Sequence, residues 1–305
     1  MSHSPSPKKL IVIAGPTAVG KTAIAIKLAQ HLKTDIVSAD SRQFYREMFI
    51  GTAKPDDEEL AQAKHYFINS HSIIENFTVG DFEKQALELL DKLFKTHDQV
   101  IMAGGSGLFI QAVTQGFDEL PVAYPTTRTR LNQELAENGI QYLQEKLKTA
   151  DPVYYAQVDL NNPQRLIRAL EVFETTGKPF SSYRNASTNK RPFETIKIGL
   201  NLPREVLYER INQRVDVMIN QGLLEEVQSL LPYRHFNALN TVGYNELFGY
   251  LDGKTDLDTA IALIKQNTRR FAKRQLTWFR KDKEIKWMMA NQSDIIKSIL
   301  QEISH

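Results

Sequence analysis

The sequence has no cysteine, no long apolar run and almost no net charge. The absence of cysteine excludes disulfides, zinc ribbons, thiol nucleophiles and iron–sulfur clusters, and it fits a reducing compartment. No apolar run approaches the roughly 20 residues that a membrane-spanning helix needs, and the polar residues 1–7 leave no room for a signal peptide. These absences predict a cytoplasmic protein that does not enter a membrane.

Length and composition are those of an ordinary globular protein. The 305 residues include 38 Lys+Arg against 36 Asp+Glu, and 42% of them are hydrophobic. Such a length suits one large α/β unit or a core that carries a second module. Averaged over the whole chain, a formal net charge of +2 gives no reason to expect a polyanionic partner.

Short β-branched runs alternate with helical patterns in the first third of the chain. Buried strands are predicted at residues 8–14, 35–39 and 99–103, with helices at residues 21–32 and 81–97 between them. This alternation predicts a parallel sheet built from right-handed βαβ units.

The strand signal then stops and returns at residues 195–200. Short helical patterns punctuated by prolines fill the interval, which predicts an inserted helical domain over residues 115–194. The core is then formed by residues 1–114 and 195–305, and its second part is mostly helical with an edge strand at residues 284–289. The predicted fold class is α/β: a P-loop NTPase-like parallel sheet with an inserted helical domain and a helical C-terminal region.

Residues 15–22 (GPTAVGKT) match the phosphate-binding pattern G-x-x-x-x-G-K-[ST] at every fixed position. The match follows a predicted strand and opens a predicted helix, where loop N–H groups and the helix N-terminus face a phosphate. In this pattern Lys21 adds positive charge and the Thr22 hydroxyl holds Mg²⁺. The pattern indicates a phosphate without saying which compound carries it. The predicted binding residues are Gly15, Pro16, Thr17, Ala18, Val19, Gly20, Lys21 and Thr22.

Asp40 is the carboxylate that is best placed to act opposite this loop. It follows the second predicted strand, in the crevice where α/β sheets bind ligands. The strand at residues 99–103 ends without the acid that a hydrolytic P-loop enzyme uses for Mg²⁺. We therefore expect Asp40 to take a proton from a nucleophile, with a helix N-cap as its alternative role.

A second glycine-rich turn occupies residues 104–109 (GGSGLF). Such turns usually reflect tight packing. At the edge of the sheet the turn would also let a large ligand approach the backbone closely.

Two arginine pairs have helical spacing. Arg210 and Arg214 share a predicted helix face that is suited to close on a diphosphate. Arg165 and Arg168 in the insertion are either solvated helix charges or a phosphate clamp.

Positive charge is concentrated in residues 265–287, where nine Lys+Arg and two acids give +7 and leave −5 for the rest of the chain. Trp278, Phe279 and Trp287 are interleaved with these charges. Basic charge mixed with aromatic residues is typical of nucleic-acid binding. The alternative is an amphipathic helix with merely solvated charges. The near-zero net charge is therefore an average over a basic segment and a mildly acidic remainder. The basic segment predicts a polyanionic partner.

Six ordered blocks resemble the tRNA dimethylallyltransferases, which transfer an isopentenyl group from dimethylallyl diphosphate to N6 of an adenosine beside the anticodon. The blocks are residues 15–22, 40–45 (DSRQFY), 104–109, 162–172 (NPQRLIRALEV), 241–246 (TVGYNE) and 272–280 (AKRQLTWFR).

The resemblance implies roles for particular residues. The loop would bind the diphosphate of dimethylallyl diphosphate with Mg²⁺, Asp40 would deprotonate the adenine amine, and Thr17 would lie beside the reacting centre. The catalytic set is thus Asp40, Thr17 and Lys21, with Arg214 added at the diphosphate. The implied contacts to the tRNA anticodon arm are Asp40, Ser41, Arg42, Gln43, Ser106, Arg128, Gln164, Arg165, Leu166, Ile167, Arg168, Lys273, Arg274, Gln275, Trp278 and Arg280.

The sequence departs from the family pattern at two places. Residues 65–69 (HYFIN) stand where the family commonly has two histidines, an apolar pair and an aspartate, and Phe109 stands where tyrosine is common. Eukaryotic members often carry a zinc finger. This sequence has no cysteine, and in that respect it is similar to the short bacterial form.

We therefore expect a monomeric, Mg²⁺-dependent enzyme that prenylates the adenosine at position 37 of tRNA and releases diphosphate. A small-molecule kinase is one alternative, with Arg165 and Arg168 as lid arginines and Asp40 on the acceptor hydroxyl. A prenyltransferase acting on free adenine nucleotides and a non-catalytic RNA-binding protein with a nucleotide switch are the others.

Overall fold

One parallel sheet forms the centre of the α/β unit in the computed structural model, which describes residues 7–116, 121, 124–183 and 190–304. The strands are β1 (Lys9–Ala14), β2 (Ile36–Ser38), β3 (His65–Tyr66), β4 (Gln99–Gly104), β5 (Glu194–Asn201) and β6 (Lys286–Met289). Their order is β3-β2-β4-β1-β5-β6, and every pairing is parallel. The predicted parallel α/β fold is confirmed.

Helices pack on both faces of this sheet, and further helices lie elsewhere in the described chain. The α-helices are α1 (Lys21–Leu32), α2 (Asp57–Gln62), α3 (Val79–Leu93), α4 (Gly107–Gln115), α5 (Pro125–Ala150), α6 (Pro152–Tyr155), α7 (Pro163–Thr176), α8 (Arg204–Asn220), α9 (Leu223–Ser229), α10 (Tyr244–Leu251), α11 (Leu257–Phe279) and α12 (Ile295–Ser304). Short 3₁₀ turns lie at Ile50–Thr52, Phe180–Tyr183, Leu231–Tyr233 and Asn237–Leu239. None of the helices in the described ranges is long and apolar enough to cross a membrane.

The alternation of side chains along β1 divides the core between the two faces of the sheet. Ile11 and Ile13 pack in a cluster with α1, α8 and α12, whereas Leu10 and Val12 pack in a cluster with α3 and α4. Both faces are covered, which is why β1 is apolar at successive positions. The strand is thereby packed from both sides, and the loop that follows it starts inside the core.

The chain divides into two compact units, residues 1–115 with 190–305 and residues 116–189. The second unit has its own core, in which Leu131, Leu143 and Leu147 of α5 pack against Leu166 and Leu170 of α7. Residues 117–120, 122–123 and 184–189, which belong to the predicted insertion, lie outside the described residues.

Candidate active site

The glycine-rich loop joins β1 to α1 at the carboxyl edge of the sheet. Gly20 precedes α1 with φ +102°, a conformation that favours glycine, and no side chain caps the helix. A Cβ on Gly15 would lie 2.7 Å from the Leu200 carbonyl oxygen, so only glycine fits beside β5. The first N–H groups of α1 are therefore open to an anion.

Three cations surround this loop. Lys21 Nζ donates to the carbonyl oxygens of Gly15 at 3.0 Å and Pro16 at 2.8 Å, which holds the ammonium across the loop. Arg214 Nη1 donates to Thr17 Oγ1 at 3.4 Å. A Cβ built on Gly20 would lie 3.9 Å from Nη1 of Arg210. The two arginines of α8 thus reach the loop together, as their spacing predicts.

Burial has the largest effect on the pKa of Lys21. It lowers the pKa of Lys21 to about 8, against the opposing attraction of Asp40 and with a smaller contribution from Arg214. The pKa of Arg214 is also lowered by burial, and Asp40 again opposes the shift. Asp40 is therefore within electrostatic reach of both cations at the loop.

Asp40 follows β2 and is half-buried. Its Oδ1 accepts a hydrogen bond from the Arg42 backbone N–H at 3.0 Å, and residues 41–44 form a turn, so no helix within the described ranges begins here. The N-cap alternative therefore does not apply. The bond uses one carboxylate oxygen and leaves the other for a proton acceptor role.

Arg42 anchors the turn that carries Asp40. Its guanidinium donates to the carbonyl oxygens of Asn237 at 3.1 Å, Ala238 at 3.0 Å and Asn240 at 3.3 Å. Gln43 Nε2 likewise donates to the carbonyl oxygens of Thr52 and Ala53. The side chains of these two predicted tRNA contacts are thus occupied by the protein's own backbone, and they fix the position of the loop.

The second glycine-rich turn is filled by protein atoms. A Cβ on Gly104 would lie 2.2 Å from the Ala39 carbonyl oxygen, and one on Gly107 would lie 2.2 Å from the ring of Trp278. Ser106 Oγ accepts from the Ser41 N–H at 2.9 Å. Tight packing, the first of the two explanations for these glycines, is what the structure shows.

Gln275 of α11 connects both glycine-rich turns. Its Oε1 accepts from the Thr17 N–H at 2.9 Å, and its Nε2 donates to the Gly105 carbonyl oxygen at 2.9 Å. The side chain is 7% exposed. Gln275 is therefore buried support for the phosphate loop, and its amide has no free surface for tRNA.

Thr22 lies in the first turn of α1 and lines a cavity of about 20 Å³ with Ser38, Gln43 and His65. Among the described residues, no group of three or more His, Asp or Glu side chains could hold a metal ion. Mg²⁺ commonly keeps several waters and binds through one or two protein oxygens plus substrate phosphates. A single hydroxyl beside a phosphate loop fits that kind of site.

The basic segment separates into two flanks on α11. Phe271, Arg274 and Trp278 share one flank, beside the turn at Gly107. Lys273 and Arg280 lie on the opposite flank, against the start of α8. The predicted tRNA contacts of this helix therefore do not form one continuous surface.

In the second unit, the buried carboxylate of Glu171 holds two of the predicted arginines. Arg128 Nε donates to Glu171 at 2.5 Å, and Arg168 Nη1 lies 3.5 Å from the same carboxylate. Leu166 and Ile167 are fully buried in the core of the unit, so their side chains act only by supporting the helix. Gln164 and Arg165 are exposed on α7.

A carboxylate that no sequence pattern indicated orders the segment after Asp40. Glu226 accepts from the N–H groups of Phe49, Ile50 and Gly51 at 2.7–3.1 Å and from the Tyr244 hydroxyl at 2.6 Å. A Cβ on Gly51 would lie 2.5 Å from the Tyr244 ring. Tyr244 lies in the resemblance block at residues 241–246, so the sequence did mark this tyrosine. The block does not show that Glu226 is its hydrogen-bond partner.

The sequence and the fold both match proteins of known activity. A sequence model of the IPP transferase family matches residues 43–282. The tRNA dimethylallyltransferase of Christiangramia forsetii is 59% identical over 278 residues, covering 91% of this chain and 92% of that protein. The tRNA dimethylallyltransferase of Flavobacterium johnsoniae is 52% identical over 304 residues, covering 97% and 98%.

Solved structures agree. The tRNA isopentenylpyrophosphate transferase of Bacillus halodurans superposes with a TM-score of 0.70 at 38% identity, covering 96% of this chain and 94% of its own. A eukaryotic dimethylallyltransferase acting on tRNA gives a TM-score of 0.78 at 26% identity, covering 96% and 77%. The resemblance found in the six blocks is confirmed, and the chain belongs to the IPP transferase family, that of the tRNA dimethylallyltransferases.

Proposed function

We propose that this enzyme transfers a dimethylallyl group from dimethylallyl diphosphate to N6 of the adenosine next to the anticodon of tRNA. It would act as a cytoplasmic monomer. The observation that supports this reaction best is the convergence of a cationic phosphate loop and Asp40 at one edge of the sheet. A donor that carries a diphosphate and an acceptor that must lose a proton need these two groups side by side.

On the donor side, the C–O bond of the allylic diphosphate breaks and negative charge develops on the leaving oxygens. The N–H groups at the start of α1, Lys21, Arg210 and Arg214 are the donors that stabilise this charge where it forms. Thr17, held by Gln275 and Arg214, would lie beside the breaking bond. When Mg²⁺ is bound at Thr22, it neutralises part of the diphosphate charge.

On the acceptor side, N6 of adenine forms the new bond to the allylic carbon and loses one proton. Asp40 accepts that proton, so the products are the prenylated adenosine, diphosphate and a protonated carboxyl. An amine inside a base stack is inaccessible, so the base must leave the stack before reaction. The turn at residues 41–43, fixed by Arg42 and Ser106, would receive it.

The proposed tRNA contacts are exposed side chains, and those on α11 come from the flank that carries Trp278. Arg274 and Trp278 on α11, together with Gln164 and Arg165 on α7, present accessible side chains. Leu166, Ile167 and Gln275 would contribute by holding these helices. Arg128 and Arg168 would contact phosphates with the donors that Glu171 leaves free.

The purified enzyme tests the proposal directly. It is incubated with dimethylallyl diphosphate, Mg²⁺ and a tRNA transcript, and the digested nucleosides are analysed by mass spectrometry. We expect one prenylated adenosine, which disappears when the adenosine next to the anticodon is replaced by guanosine. Asp40→Asn should abolish transfer and leave tRNA binding nearly intact, whereas Asp56→Asn at the exposed start of α2 should retain activity.

Other products would identify other activities. Phosphate transfer from ATP to a small acceptor, without prenyl adenosine, would show a kinase. Prenylation of AMP at the rate seen with tRNA would show an enzyme for free nucleotides. Loss of tRNA binding alone in Asp40→Asn would indicate a binding protein.

A further inference from the structure

A cavity of about 400 Å³ lies between the start of α8 and the last turns of α11. It is on the flank of α11 opposite Trp278, and none of the residues placed at the phosphate loop lines it. The lining residues Leu202, Leu207 and Leu276 give it an apolar wall, and Asn201, Tyr208 and Thr277 supply polar atoms. Its volume lies within the roughly 300–1,000 Å³ of small-molecule sites.

Positive charge in this cavity is not neutralised. Arg204, Lys273 and Arg280 line it, and no lining residue is acidic. Within the described part of the chain, none of the three has a carboxylate within 4.0 Å, whereas Lys265 and Lys286 of the same basic segment do. Three unpaired cations around one cavity repel each other, and an anion would relieve that repulsion.

The cavity wall is ordered. Arg204 stacks on the Tyr208 ring with its guanidinium carbon 5.1 Å from the ring centroid. Arg269 lies at 6.0 Å from the same centroid and donates to Asn212 at 2.6 Å. The helix α8 starts at Arg204 without a side-chain cap, and its N-terminus adds a partial positive charge. The ring contact therefore orients Arg204 along the cavity wall.

We propose that this cavity is a second anion site, separate from the phosphate loop, which binds a small organic phosphate such as a nucleotide or a prenyl diphosphate. The three cations bind the phosphate groups, and the leucine wall contacts the organic part. Arg204 lies six residues before Arg210 on the same helix, about 9 Å along its axis. The two sites therefore share no side chain, and variants can test them separately.

The test is calorimetric titration of the full chain at low ionic strength, with ADP, dimethylallyl diphosphate and inorganic diphosphate as separate probes. We expect two binding events in the unaltered enzyme. Lys21→Ala should remove the event at the phosphate loop and leave the other. Arg204→Gln should weaken that second event by at least about tenfold, since a charge-assisted hydrogen bond is lost. Lys27→Gln, which removes an exposed charge on α1, is the control and should retain both events.

The three probes distinguish the source of the phosphate. Preferential binding of ADP identifies a nucleotide site, and preferential binding of dimethylallyl diphosphate identifies a prenyl diphosphate site. If inorganic diphosphate binds as tightly as the two organic probes, the leucine wall does not contact the organic part of the ligand, and the proposal of an organic phosphate site is overturned. A single event that Lys21→Ala abolishes overturns the proposal. So does a result in which Arg204→Gln weakens tRNA binding while no probe binds outside the phosphate loop, because the cations then serve the RNA backbone. Circular dichroism of each variant confirms that it is folded.

Discussion

Lys21 is the residue whose charge the proposed reaction depends on most directly. Burial lowers its pKa to about 8, so in the free enzyme the ammonium is lost as the pH rises through that value. The diphosphate binds the protonated form, and kcat/KM reports the free enzyme. We predict that kcat/KM for dimethylallyl diphosphate falls above pH 8, approaching tenfold per pH unit.

Lys21→Arg is the matched variant for this prediction. A guanidinium keeps its charge at every accessible pH, so the alkaline fall should disappear even where the altered geometry lowers the maximum rate. An identical alkaline fall in both enzymes, measured by steady-state kinetics from pH 6 to 9.5, would assign the titration to another group.

A second buried lysine contacts a residue that departs from the family pattern. Lys54 is buried and donates to the Tyr45 carbonyl oxygen and, at 2.6 Å, to Asn69 Oδ1. Asn69 stands where the resembling sequences commonly have an aspartate, so a neutral amide faces this ammonium. Burial lowers the pKa of Lys54 to about 8 from 10.5. The folded protein therefore binds this proton less tightly than the unfolded chain, and stability rises with pH between these values.

We predict that Asn69→Asp stabilises the fold at pH 7 by about 1 kcal/mol, because a charge-assisted hydrogen bond replaces a weaker one. Residue 69 is exposed, so the new carboxylate is not dehydrated. The raised pKa of Lys54 should also reduce the gain in stability between pH 8 and 10. Urea unfolding at pH 7, 8 and 10 measures the two effects, with Asn69→Ala as the destabilised reference. Equal stability of the aspartate and asparagine forms at pH 7 would refute the prediction.

At the scale of elements, α11 supports the site as well as carrying charge. Gln275 satisfies one backbone donor and one backbone acceptor in two different turns. We predict that Gln275→Leu lowers the free energy of unfolding by about 2 kcal/mol, since two buried polar groups lose their partners. KM for dimethylallyl diphosphate should rise because the Thr17 N–H loses its acceptor and Thr17 is held only by Arg214.

The exposed Gln266 on the same helix is the matched control, and Gln266→Leu should leave both quantities near those of the unaltered enzyme. Urea unfolding and donor kinetics are measured in parallel. A large loss of tRNA affinity in Gln275→Leu with an unchanged KM for the donor would mean that this side chain serves RNA binding instead.

The local elements were predictable from sequence because local chemistry specifies them. The helix after the phosphate loop has the predicted bounds, and β1, β4 and β5 differ from prediction by at most one residue at either end. The strand β3 was missed since two residues carry no periodic signal. The roles of Arg42, Gln275 and Glu226 were not predictable, because their backbone partners lie more than 150 residues away in sequence. Polar side chains with a motif-like spacing do not reveal whether they face a ligand or a distant loop.

Over the whole molecule, the near-zero net charge conceals two groups of basic residues in the described chain. Some are paired with carboxylates, and others have no acidic partner. Asp282 and Glu284, the two acids of the basic segment, are both bound by the buried Lys197 at 2.7 Å. Lys265 and Lys286 are paired with carboxylates elsewhere. Seven cations between residues 265 and 287 have no acidic partner within 4.0 Å in the described chain. Lys273 and Arg280 among them line the proposed second anion site, so tRNA binding is expected to depend on the other five and on salt.

Two cations of this segment make a matched pair for testing that expectation. Arg274 has no carboxylate partner and stacks at 5.8 Å on the ring of Phe271, whereas Lys286 is bound by Glu302. We predict that Arg274→Gln weakens tRNA binding and reduces the slope of log K against log salt concentration by about 0.7–0.9, the value of one phosphate contact. Lys286→Gln should change neither, because its charge is already neutralised. Fluorescence anisotropy with labelled tRNA over a salt series measures both variants, and equal losses would show that tRNA responds to total charge and not to its placement.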